Sequence, residues 1–72
     1  MTWELYEVWS EDDIGHQELV ETTKSLKEAK ILAEKSLDDG ALVAIIYQET
    51  GDSDQKEILR LTFDESGAII NV

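Results

Sequence analysis

Apolar and polar positions along this 72-residue chain follow two different periods. The stretch "SLKEAKILAEKSLDDG" places Leu26, Ala29, Ala33 and Leu37 on one helical stripe, with Leu32 at its edge. Ser25 and Glu28 stand at the S-x-x-E spacing of a capping box, and Gly40 supplies a left-handed stop. The pattern predicts a helix over 26–38. Lysines alternate with acids on its remaining surface, as on a solvated face, and Ile31 points away from the stripe.

The rest of the chain reads as strand. "WELYEVW" (3–9) and "HQELVET" (16–22) flank the turn "EDDIG". "ALVAIIYQ" (41–48) is apolar on both faces, as expected in the middle of a covered sheet. "KEILRLTF" (56–63) alternates, with Leu59, Leu61 and Phe63 on one face and Ile58, Arg60 and Thr62 on the other. The turn "DESG" leads to a last short strand in "AIINV" (68–72). The order is β-β-α-β-β-β within one small domain, 1–72. The expected fold is an α+β two-layer sandwich, an antiparallel sheet in strand order 2-1-3-4-5 with one helix on one face.

One helix of about 13 residues, roughly 20 Å long, covers one sheet face and not both. A carboxylate in the centre of the covered face would be costly to desolvate, so Tyr6 and Val8 are placed under the helix rather than Glu7. That choice leaves Trp3, Leu5 and Trp9 on the open face, joined by Ile58 and Arg60. An apolar patch rimmed by charge suits a protein partner or a second copy of the chain. The alternative is that the faces are reversed, or that loops fold over the tryptophans.

Composition narrows the function classes. There are no cysteines, so no disulfide and no thiolate metal site. No apolar run reaches the roughly 20 residues of a membrane span, and the first residues show no signal peptide, which makes the cytoplasm the default expectation. Net charge is −11, with 17 acids against 6 bases, and nearly all of it lies outside 24–39. Direct nucleic-acid binding and a membrane-surface role are disfavoured, because the bases do not cluster and anionic partners would be repelled. The acidity suits solubility, or an acidic decoy that docks on a basic or nucleic-acid-binding protein.

Catalytic chemistry is sparse. His16 is the sole histidine, it sits at a turn, and no serine is recognisably placed beside it, so neither an activity nor a cofactor is expected. "YQETGDSDQKE" invites comparison with a calcium loop through Asp52 and Asp54. Lys56, Glu57 and Phe63 then occupy the fifth, sixth and twelfth positions, where a carboxylate or amide, a glycine and a glutamate are needed. The stretch reads as a hairpin loop, and no metal site is assigned. A weak divalent-cation or small-ligand domain built on Asp12, Asp52 and Asp54 is the remaining alternative.

Overall fold

A computed structural model describes residues 4–50 and 55–72. Its elements run β1 (Glu4–Glu11), β2 (Gln17–Thr23), α1 (Leu26–Asp38), β3 (Val43–Thr50), β4 (Gln55–Phe63) and β5 (Ile69–Asn71). They form one five-stranded sheet in the order β2-β1-β3-β4-β5, with every neighbouring pair antiparallel. The α+β architecture and strand order are those expected from the hydrophobic pattern. No described helix is long and apolar enough to cross a membrane.

Two turns use one device. Asp12 Oδ1 accepts from the backbone N–H groups of Ile14 (3.1 Å) and His16 (2.8 Å) between β1 and β2. Asp64 Oδ1 accepts from the backbone N–H groups of Ser66 (2.9 Å) and Ala68 (3.0 Å) between β4 and β5. An aspartate that binds its own backbone downstream holds such a turn closed. The Ser66 hydroxyl also donates to Asp64, at 2.6 Å. That bond, aided by the Ala68 amide, holds the Asp64 carboxyl below its ordinary 3.8.

The helix ends are satisfied on both sides. Ser25 Oγ accepts from the Glu28 backbone N–H at 3.3 Å. Glu28 does not reach back to Ser25 as a simple capping box requires. Its carboxylate accepts from the Thr23 hydroxyl (2.8 Å), whose oxygen accepts from the Ser25 N–H (3.2 Å), so the return bond passes through Thr23. At the other end the Ala41 N–H donates to Ser36 O (3.0 Å) and the Gly40 N–H to Leu37 O (3.1 Å), the paired bonds of a Schellman stop. Gly40 adopts φ +114°, a region that a residue with a Cβ rarely enters.

The helix buries Ala29, Ala33, Ser36 and Leu37 against Tyr6, Val8, Ala44, Ile46 and Leu61 of the sheet. Small side chains at three of those four helical positions let the backbone approach the strands closely. Two residues expected on the core-facing sides, Leu26 and Phe63, lie outside the core. Leu26 is exposed, because it lies in the first turn at the margin of the core, and Ser36 takes a buried place by donating its hydroxyl to Leu32 O at 3.1 Å. Phe63 shares a face with Leu61 but stands at the last position of β4, outside the core, and is exposed.

Two bulges set which residues face where. Between β1 and β2 the register steps from Val8↔Glu21 to Trp9↔Leu19, leaving Val20 as the extra residue. Between β3 and β4 it steps from Ile46↔Leu59 to Tyr47↔Glu57, leaving Ile58 as the extra residue. A bulge interrupts the alternation of a strand, so residues three apart on either side of it emerge on the same face.

Candidate site on the helix-free sheet face

Residues directly opposite one another in an antiparallel sheet share a face. The registers therefore assemble the helix-free face row by row. One row runs Leu19, Trp9, Ile45 and Arg60 across β2, β1, β3 and β4. The next runs Thr22, Glu7, Tyr47 and Glu57. Leu5, Glu49 and Gln55 form a third.

Of the residues singled out from the sequence, Leu5, Trp9 and Arg60 share this face, each half-buried. Trp3 lies outside the described residues. Ile58 does not belong to the face. The bulge in β4 turns it inward, and it packs against the helix-side core beside Leu59. The same bulge brings Glu57 onto the open face, where strict alternation from Arg60 would have put it under the helix. Glu57 Oε1 accepts from Arg60 Nη2 at 2.7 Å, the single ion pair among the described residues. That hydrogen bond, reinforced by the charges of Glu57 and Glu11, holds the guanidinium above its ordinary value.

Ile45 was not singled out from the sequence, yet it defines the site. It is 0% exposed although it points away from the helix and takes no part in the helix-side core. Its cover comes from its own face: Trp9 and Arg60 beside it in the row, Val43 and Tyr47 along β3. The Trp9 and Tyr47 rings meet edge to face, with centroids 6.4 Å apart and planes at 88°. Trp9 Nε1 donates to Glu7 Oε1 at 3.0 Å, and Gln55 Nε2 donates to the same oxygen from two strands away. The face is thus a second, smaller apolar cluster under an ordered polar margin. A run of apolar residues on both faces of β3 was the sequence signal for it.

No family model, curated protein or solved structure matches this chain. The site's own chemistry must therefore carry the functional reading.

Two clefts lie elsewhere. One of about 330 Å³, beside the helix C-terminus, is lined by Ser10, Asp12, His16, Glu18, Ser36 and Asp39. Among the described residues no hydrogen bond joins the His16 ring to a hydroxyl or a carboxylate there. The other, about 450 Å³, runs between the helix and β2 past Thr22, Thr23, Ile31 and Leu32. Asp52 and Asp54 lie outside the described residues. Among those described, no three acidic or histidine side chains gather as metal ligands would.

Proposed function

We propose that the chain is a small acidic interaction module that binds a protein partner through its helix-free sheet face and has no catalytic activity of its own. One observation carries this reading. Trp9 and Tyr47 stand half-buried over the buried Ile45, held in place by packing and by Glu7, and no other described element lies over them. Aromatic side chains fixed in this way present contact area at small entropic cost, and aromatic and arginine residues dominate binding hot spots. A heterologous partner is favoured over a second copy, because two chains of charge −11 repel one another.

The test compares proteins captured by the wild type with those captured by Leu19→Ser and Tyr47→Ala on the open face. Ile31→Ser on the helix serves as control, since Ile31 is 57% exposed and Leu19 46%. Thermal melts confirm that each variant is folded. Loss of the same captured proteins in both face variants, with retention in Ile31→Ser, is expected. Equal capture by all four chains, or loss confined to Ile31→Ser, refutes the assignment of the face.

A further inference from the structure

The face carries charge as well as aromatic surface, and the arrangement selects among partners. Tyr47 has Glu7 directly opposite it on β1 and Glu57 directly opposite on β4. Glu49 follows two residues along the same strand and so projects from the same face. With Glu11, opposite Val43, the described face holds four carboxylates. Arg60 is its one cation, and it is already engaged by Glu57. The lysines do not offset this. Lys27, Lys30 and Lys35 are helical, Lys24 immediately precedes the Ser25 cap, and Lys56 pairs with Gln48 on the opposite face of the sheet.

We infer that the occupant of this face is an arginine-bearing protein segment, its guanidinium laid over the Tyr47 ring between Glu7 and Glu49 and its apolar side chains against Trp9 and Leu19. The inference rests on the proposed role of the helix-free face as a docking surface and names the chemistry of what docks there. Guanidinium suits the site on two counts. Its plane stacks on an aromatic face, and its fork of N–H donors matches carboxylates on either side. Glu7 Oε1 already accepts from Trp9 and Gln55, and Oε2 accepts no side-chain hydrogen bond among the described residues. A second copy of this chain is a poor source of that group. The sequence contains one arginine, Arg60, which is held within the face itself.

The probes are three capped octapeptides of alternating leucine with arginine, glutamine or glutamate, titrated into the isotopically labelled full chain. The arginine peptide is expected to shift the amides of Glu7, Trp9, Tyr47 and Glu49. It should bind at least tenfold more tightly than the glutamine peptide, and the glutamate peptide should not bind. Affinity for the arginine peptide should fall severalfold between roughly 0.05 and 0.3 M salt as the charges are screened. The double variant Glu7→Gln/Glu49→Gln keeps the acceptor for Trp9 while removing two charges. It should weaken the arginine peptide at least fivefold and the glutamine peptide by a clearly smaller factor, and equal weakening of both would overturn the charge reading. If the arginine and glutamine peptides bind this face equally well, the cationic partner is overturned while the docking face stands. If all three leave the face unperturbed, or if shifts concentrate on the helix or the acidic hairpin instead, both fall.

Discussion

Ile45→Ala gives the sharpest test of the architecture, because the same substitution one residue later probes the other side of the sheet. Ile45 and Ile46 are both 0% exposed. Trimming isoleucine to alanine forfeits about 2.4 kcal/mol of transfer free energy, at about 0.8 per carbon group. A cavity adds to that loss wherever the surroundings cannot close in. Ile46 lies between sheet and helix, both of them regular hydrogen-bonded elements, so Ile46→Ala should cost about 3–5 kcal/mol. Ile45 is roofed by the side chains of Trp9, Tyr47 and Arg60, which can settle into the space, so Ile45→Ala should cost about 2–3 kcal/mol. Both are large for 72 residues, whose total stability is expected at roughly 4–11 kcal/mol. Urea unfolding followed by tryptophan fluorescence measures them. With a slope of about 1 kcal/mol per molar, the midpoint of Ile45→Ala should drop by about 2–3 M. The double variant Trp9→Ala/Ile45→Ala should show a coupling of about 1 kcal/mol, as expected of residues in contact. A cost below about 1 kcal/mol for Ile45→Ala would refute the reasoning. It would mean that water reaches Ile45 and that the helix-free face is not the closed cluster described above.

Three further outcomes are expected. Ser25→Ala removes the acceptor for the Glu28 N–H and should cost about 1 kcal/mol, and Thr23→Val should cost a similar amount by cutting the return bond to Glu28, both read from urea midpoints. Asp64→Asn keeps an acceptor but loses the charge favoured by Ser66 and Ala68. The folded carboxyl lies below its ordinary 3.8, so its stabilising effect is present above that value and disappears as pH falls through the folded value. The gap in melting temperature between wild type and Asp64→Asn should be widest near neutral pH and shrink below about pH 4. Moderate salt should raise the melting temperature of the wild type by screening repulsion within a chain of charge −11, and an unchanged or lower value would show the acids to be well dispersed.

Most of the fold was legible in the sequence, because each element carries a local chemical signature. The aspartate turns at Asp12 and Asp64, the Ser25 cap and the Gly40 stop mark boundaries by bonds that run only a few residues. The desolvation argument that set Glu7 against Tyr6 and Val8 put those residues on their observed sides. The face composition was less legible, and the bulges explain why. Counting by twos back from Leu61 and Leu59 puts Ile58 outside and Glu57 inside, and the extra residue in β4 reverses both. Nothing in "KEILRL" announces that insertion. It is set by pairing with β3 and by the gain from burying Ile58 against the helix-side core. The burial of Ile45 was hidden for a related reason. An apolar residue on both-sided β3 shows that cover is needed, but its source, Trp9 from one strand and Arg60 from another, appears only when the registers are known.

The polar margin of the helix-free face also shows how one set of contacts can serve both stability and recognition. Glu7 holds the Trp9 indole from the preceding position on the same face and anchors Gln55 from beyond β3. Trp9 in turn packs on Tyr47 and covers Ile45. An aromatic side chain already fixed by folding loses little rotamer freedom when a partner arrives, so more of the contact energy appears as affinity. The same economy makes the face vulnerable, since truncating Trp9 would open the Ile45 cluster as well as removing contact area. Substitutions that leave the cluster intact therefore separate the two roles. Leu19→Ser at an exposed position and Glu49→Gln at the charged margin should alter binding while leaving the unfolding free energy from urea titration within about 0.5 kcal/mol of wild type, as surface changes generally do. Loss of stability in step with loss of binding for both variants would instead mean that the margin belongs to the core.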